Sequence, residues 1–139
     1  MGWIGWAVSS AFFAAITAVL AKVGVEGVDT NLATAVRTSV VFVFAWCVAL
    51  VVRAPAEAQP FSPKTWLFLV LSGLATGLSW VCYFRALQLG EASRVAPVDK
   101  LSVALVIVIA AIFLREPLTW NKGIGGALIV AGAITLAME

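Results

Sequence analysis

Long apolar stretches alternate with short polar clusters along the whole sequence. A hydrocarbon core of about 30 Å needs about 20 helical residues at 1.5 Å each. Five blocks of about this length occur, at residues 3–22, 32–53, 65–85, 95–114 and 120–138. Backbone amides in hydrocarbon must be paired within their own element, and barrel strands would be half as long and would alternate in polarity. The pattern therefore predicts an all-α integral membrane protein, a bundle of five transmembrane helices.

The links between the blocks are too short to form a further domain. The longest link, residues 53–64, contains Pro55, Pro60 and Pro63, which prevent the helix from continuing, so a turn is predicted there. The first block has no basic residue before its apolar stretch and runs too far for a cleavable signal core, which favours a mature helix. Residues 1–139 are thus predicted to form one transmembrane domain.

Composition narrows the classes of function. The 139 residues are 63% hydrophobic and 12% charged, and none is histidine. Cys47 and Cys82 both lie in apolar blocks, so the usual ligands of zinc or haem are missing and no cofactor is expected. The net charge of +2 is spread over the chain without a basic stripe, which argues against nucleic acid as a partner. The serines of the blocks have no histidine to activate them, and therefore an enzyme is not expected.

Positive charges are nearly balanced between the two sides that five spans would create. One side carries Arg53, Lys64, Arg115 and Lys122, and the other carries Lys22, Arg37, Arg85 and Arg94, with Lys100 nearby. The positive-inside rule acts through an imbalance of Lys and Arg in short loops. Either one loop dominates and sets a single orientation, or both orientations are made. In the second case the chain could pair with its own inverted copy.

The second half of the chain carries a series of landmarks in a definite order. They are Ala86-Leu87 before Gly90, then Val95-Ala96-Pro97, then Leu114-Arg115-Glu116 with Leu118-Thr119, then Gly125 or Gly126 and Gly132. The first half agrees more loosely through Lys22, Asp29, Arg37-Thr38 and the segment SGLATGLSWVCYFRAL. With this order of motifs the chain resembles an EamA domain of the drug/metabolite transporter superfamily over essentially its whole length. Relatives often carry a second proline soon after the one matched by Pro97, whereas Ser102-Val103-Ala104 stand here.

The resemblance implies a secondary transporter of small organic solutes in a prokaryotic cytoplasmic membrane, either coupled to protons or working as an exchanger. Most relatives carry two such domains in ten helices, and this chain is similar to the short members that carry one. With five helices per copy, the second copy is inverted relative to the first. One copy is therefore expected to pair as an antiparallel homodimer. The alternative is an accessory or scaffold membrane subunit that does not itself transport.

Charged residues inside the blocks are the first candidates for a functional site, because a charge in hydrocarbon requires a partner or a water-filled cavity. Asp99 follows Pro97, so it either stabilises the first turn of a helix or acts as the protonatable group for coupling. Lys100 could reach the interface or pair with Asp99 of a second subunit. Arg37 has no acidic neighbour within four positions, so it is expected to contact carbonyl groups, an acid such as Asp99 or Glu26, or an anionic solute.

Aromatic and small residues at helical spacing complete the candidates. Trp80 lies well inside the third block and shares a face with Tyr83 and Phe84, and the first block presents a face formed by Trp6, Ser10, Phe13 and Thr17. These two faces are predicted to line the cavity, with simple packing as the alternative. Small residues permit close helix contact, within the chain or between subunits. They occur at Gly73 and Gly77 and at Gly123, Ala127 and Ala131.

Overall fold

The fold was obtained as a computed structural model, which describes residues 2–52 and 61–138. The regular structure in these ranges is helical: α1 (Trp3–Gly24), α2 (Thr30–Val51), α3 (Pro63–Leu89), α4 (Ala92–Asp99), α5 (Leu101–Phe113) and α6 (Trp120–Ala137). Five spans are long and apolar enough to cross a membrane, the fourth being α4 and α5 together. The prediction of an all-α protein with five transmembrane segments is confirmed. Arg53, Pro55 and Pro60, which entered the charge balance and the predicted turn, lie outside the described residues.

Helix ends follow from local capping rather than from hydropathy. The Asp29 carboxylate accepts hydrogen bonds from the backbone N–H groups of Asn31 and Leu32, each at 2.9 Å, so α2 begins at Thr30. Ser62 Oγ accepts a bond of 3.1 Å from the Thr65 N–H, and Pro63 occupies the first position of α3. Helix α3 therefore starts before residue 65 and continues to Leu89, beyond the apolar block 65–85. Apolar length marks the hydrocarbon segment, and a capped helix extends past it.

The fourth span is divided at Lys100, where the sequence suggested one helix over residues 95–114. Pro97 lies inside α4 and has no N–H to donate to the preceding turn. The chain tightens there: the Lys100 N–H donates to the Pro97 carbonyl at 3.0 Å, and the Val103 N–H donates to the Lys100 carbonyl at 2.9 Å. Bonds three residues apart are those of a 3₁₀ turn. The break thus arises beside the first proline, although the second proline that many relatives carry is absent.

Two compact units can be distinguished along the chain, Met1–Val23 with Leu89–Glu139 and, separately, Gly24–Gln88. In the first unit α4, α5 and α6 pack together. Gly126 and Ala133, seven residues apart on α6, are buried, and a Cβ added at Gly126 would lie 3.2 Å from Ile107 Cδ1. The small residues Gly123, Ala127 and Ala131, on a neighbouring face of α6, are exposed in the single chain. Packing within this unit therefore uses Gly126, and a role of the other three in a dimer stays a prediction.

Burial within the single chain is sparse. Among the described residues the buried apolar side chains are Ala18, Val25, Phe84, Leu87, Ala110 and Ala133. Such exposure would be unfavourable in water, but lipid chains solvate apolar helix faces as well as other helices do. The fold is therefore that of a protein whose solvent is the bilayer.

Candidate functional site

The unit Gly24–Gln88 brings the start of α2 close to the end of α3. The side-chain amide of Gln88 on α3 donates to the carbonyl of Val25 at 3.0 Å and to the carbonyl of Val28, both just before α2. Arg85 Nη1 donates to Gln88 Oε1 at 3.0 Å and so fixes the orientation of the amide. Gly27, between the two carbonyls, has a φ of 70°, a conformation that glycine adopts without steric cost. Gln88 thus holds the link before α2 at the end of α3.

Arg37 lies against aromatic rings a short distance inward from this connection. Its guanidinium carbon is 4.5 Å from the ring centroid of Trp80 and 5.2 Å from that of Phe84. Phe84 is 2% exposed, and Trp80 is half-buried one turn before it on α3. Arg37 is seven residues after Thr30, so it lies about 10 Å along the axis of α2 from the helix start. A cation is therefore held inside the apolar part of a span by two ring faces.

Polar residues continue along the same side of α2. Thr30 and Thr34 are buried, at 9% and 7% exposure. The hydroxyl of Thr34 donates to the Thr30 carbonyl, and that of Thr38 donates to the Thr34 carbonyl, both at 2.7 Å. Spacings of three and four residues place Thr30, Thr34, Arg37 and Thr38 on one face. The hydroxyl groups of Thr34 and Thr38 thus donate their hydrogens to carbonyls of the same helix. Arg37 is the charged residue of this face.

Three acidic groups of the described residues are paired with cations other than Arg37. Asp99 Oδ2 lies 3.1 Å from Lys100 Nζ, Glu116 Oε2 lies 3.1 Å from Lys122 Nζ, and Glu91 Oε2 lies 3.7 Å from Arg94 Nε. Within residues 24–52 and 61–88 Arg37 makes no ion pair and contacts Trp80 and Phe84, while its expected contact with an acid such as Asp99 stays a prediction. The arginine is stabilised by ring faces, which accept no conventional hydrogen bond.

Asp99 and Lys100 pair with each other in the same chain, and an interfacial or intersubunit role of Lys100 stays a prediction. Neighbouring side chains on a regular helix point about 100° apart and do not face each other. The break at Lys100 relaxes this restriction. Both side chains are partly exposed, 36% for Asp99 and 55% for Lys100. The pair is about 10–12 Å along the span from Ala92, in a position where each charge needs its partner.

The remaining predicted residues keep the roles proposed for them as predictions. On α1, Trp6, Ser10 and Phe13 are exposed and Thr17 is half-buried. On α3, Tyr83 is half-buried, and a Cβ added at Gly73 or Gly77 would meet nothing within 4 Å. These two glycines therefore leave an open surface in the single chain.

Several residues of the site were missed by the sequence interpretation. Phe84 was placed on one face with Trp80 by its spacing, but its contact with Arg37 was not foreseen. The two buried threonines before Arg37 could also have been found, because their helical spacing places them on the face of Arg37. Gln88 had none, because its partners Val25 and Val28 are about sixty residues away in sequence and bind through their backbone carbonyls.

The motif Leu114-Arg115-Glu116 forms the turn between α5 and α6. Arg115 has a φ of 55°, which is uncommon for a residue with a side chain. The Glu116 N–H donates to the Ala110 carbonyl at 3.2 Å, and the Glu116 carboxylate pairs with Lys122 on the first turn of α6. Thr119 caps that helix by accepting from the Lys122 N–H. This motif therefore supports the connection between two spans.

Five apolar spans with short links define a multi-pass membrane protein. The chain matches the model of the EamA-like transporter family over residues 1–138 and belongs to that family. This confirms the resemblance drawn from the motifs and makes the protein a membrane transporter by family.

Three similar proteins are also described as transporters. An uncharacterized transporter in the cobO 3' region of Sinorhizobium sp. is 51% identical over 98% of this chain and 96% of that protein. The uncharacterized transporter YvbV of Bacillus subtilis is 29% identical over 94% of this chain, which spans 42% of it. The uncharacterized transporter sll1164 of Synechocystis sp. is 26% identical over 90% of this chain, which spans 36% of it. No solved structure matches the chain.

Proposed function

We propose that the protein is a secondary transporter of small organic solutes that works by alternating access in the cytoplasmic membrane of a prokaryote. The observation that carries this proposal is Arg37, a cation inside an apolar span that rests on Trp80 and Phe84 instead of on an acid. Ionisable residues within membrane spans are costly and mark substrate or ion pathways. In a transporter family, such a group belongs to the solute path.

The proposed working unit is an antiparallel homodimer. The near balance of Lys and Arg on the two sides gives membrane insertion little preference for one orientation. The chain spans less than half of the Bacillus and Synechocystis relatives but nearly all of the Sinorhizobium one. The longer relatives have room for a second copy, and a chain with one copy would obtain it from a second molecule. Each solute path would then draw Arg37 and Trp80 from both subunits.

Asp99 is the proposed coupling group. It is the acid set within the fourth span, and its ion pair with Lys100 lies at the break between α4 and α5. Transporters commonly place ion and substrate sites at broken helices, where backbone groups and helix ends are available. Protonation of Asp99 would release Lys100, so proton binding could be linked to movement of the two helix halves.

The alternative function is that of an accessory or scaffold subunit. The open surface around Gly73 and Gly77 favours it, because small residues permit a partner helix to approach closely. Purified protein in liposomes separates the two functions. Solute flux by the protein alone supports transport, and the absence of flux for every class of solute until a partner membrane protein is added supports the scaffold.

Orientation can be tested in the same system. Two or three lysines added after residue 138 should force one orientation and abolish flux, and co-expression with an oppositely biased variant should restore it. A matched variant with added glutamines controls for the extra length. Full flux from a population fixed in one orientation would reject the antiparallel dimer.

A further inference from the structure

Within its own unit, in residues 24–52 and 61–88, the Arg37 guanidinium lies on aromatic rings and forms no ion pair. Its neighbours in this unit are the ring faces of Trp80 and Phe84, together with Tyr83, which interacts with it electrostatically, and no carboxylate of the unit lies within ion-pair distance in the described residues. A guanidinium carries five N–H donors in a rigid plane, and contact with a ring face satisfies the charge without using those donors. The donors inside an apolar span therefore remain available for a ligand.

Groups around Arg37 favour a negatively charged oxygen ligand over any other. Thr34 and Thr38 donate their hydroxyl hydrogens to helix carbonyls, so Arg37 supplies the charge of this face. Unlike Arg94, Lys100 and Lys122, Arg37 has no ion pair with an acid of its own unit in residues 24–52 and 61–88. A charge in low dielectric attracts a counter-ion strongly. The fork of a guanidinium matches the two oxygens of a carboxylate or phosphate.

We infer that Arg37, backed by Trp80 and Phe84, binds an oxyanion, the carboxylate or phosphate group of the transported solute. This inference rests on the proposed transport function and gives the solute a charge class. The two rings hold the guanidinium in place before the ligand arrives, which lowers the ordering cost of binding. Organic cations are excluded, because a like charge would have to approach Arg37 in the span.

Binding of simple oxyanions to the purified protein tests the inference. The probes are succinate and inorganic phosphate, titrated in maltoside detergent at constant ionic strength against chloride. Tryptophan fluorescence is the readout, since Trp80 lies 4.5 Å from the guanidinium, and Trp80→Phe identifies its share of the signal. At least one of the two oxyanions should give a saturable change. Arg37→Gln should weaken it by at least about tenfold, the factor expected for loss of a charge-assisted pair.

Two further variants keep the result interpretable. Arg37→Lys preserves the charge but removes the fork, so it should bind more weakly than the wild type even if Arg37→Gln fails to fold. Arg94→Gln removes one positive charge from an exposed pair on α4 and should leave the binding midpoint unchanged. Equal midpoints for the wild type and both Arg37 variants, or no saturable response to either oxyanion, would overturn the inference.

A lipid headgroup is the other possible source of the oxyanion. Nanodiscs of zwitterionic lipid alone, and with added anionic phosphatidylglycerol, distinguish the two. If the site takes a free solute, the succinate or phosphate midpoint stays the same when the anionic lipid is added. A midpoint raised about tenfold or more identifies a headgroup as occupant and rejects the solute assignment.

The inference and the proposed function can fail separately. Oxyanion binding that depends on Arg37, without flux in liposomes, would leave the binding site standing and reject transport. Flux of an organic cation that persists in Arg37→Gln would leave transport standing and reject the oxyanion.

Discussion

Replacement of Gln88 by Leu is expected to destabilise the connection that positions Arg37. The Gln88 amide donates to the carbonyls of Val25 and Val28, and its oxygen accepts from Arg85. Leucine has similar volume but cannot donate, so two backbone carbonyls lose their partner. Each hydrogen bond contributes about 0.5–1.5 kcal/mol, and the two together give a predicted loss of about 1–3 kcal/mol in the free energy of unfolding.

The measurement is unfolding in mixed micelles with increasing dodecyl sulfate, followed by tryptophan fluorescence. Gln88→Glu is the matched variant, since it retains an acceptor for Arg85 but lacks the amide donors. It should lose nearly as much stability as Gln88→Leu if the bonds to Val25 and Val28 matter most. Double substitution with Trp80→Ala measures the coupling of Gln88 to the aromatic contact. Unchanged unfolding in both Gln88 variants would refute the reasoning.

Three other predictions concern packing, the aromatic support and the ion pair at the helix break. Gly126→Leu should destabilise the protein by about 1–3 kcal/mol through overpacking against Ile107, whereas Gly132→Leu, where an added Cβ meets nothing within 4 Å, is the control expected to change unfolding little. Equal effects of the two in detergent unfolding would contradict the assigned contact. Trp80→Ala should weaken solute binding about fivefold by loss of about 1 kcal/mol of cation–π interaction, and Trp80→Phe should retain most of it. A loss of expression without a separable effect on binding would leave Trp80 as a packing residue. Asp99→Asn should remove the pH dependence of uptake and should also destabilise the protein, since it leaves Lys100 without its partner inside the fourth span. Uptake by that variant with unchanged pH dependence would leave Asp99 as a helix-stabilising acid.

The spans could be predicted from the sequence because a single physical quantity decides them. Hydrocarbon thickness fixes the length of an apolar helix, and every block that satisfied this length became a span. Helix ends were less predictable, since they depend on individual caps such as Asp29 and Ser62. Hydropathy does not register these hydrogen bonds.

The site was only partly predictable because its contacts join distant segments. Arg37 and Trp80 could each be selected as unusual residues inside apolar blocks, but nothing in the sequence indicated that one would lie on the other. The absence of nearby acids instead suggested a remote ion pair for Arg37. Similarly, the sequence pointed to Gly123, Ala127 and Ala131 as the packing residues of α6, and Gly126 was noted only as a family landmark. The side chain of Ile107 on α5, which meets Gly126, distinguishes the face used within the chain.

The break at Lys100 explains how two charges can be kept inside the fourth span. Helix α4 ends at Asp99 and α5 begins at Leu101, so a helix C-terminus and a helix N-terminus meet within the apolar segment. The partial negative charge of the first end favours Lys100, and the partial positive charge of the second favours Asp99. The two side chains also neutralise each other at 3.1 Å. The helix-end interactions and the ion pair both depend on the turn beside Pro97. A change that straightens the span would therefore also remove the stabilisation of Asp99 and Lys100. The helix break and the ion pair are therefore expected to respond together, as a coupling element in a transport cycle requires.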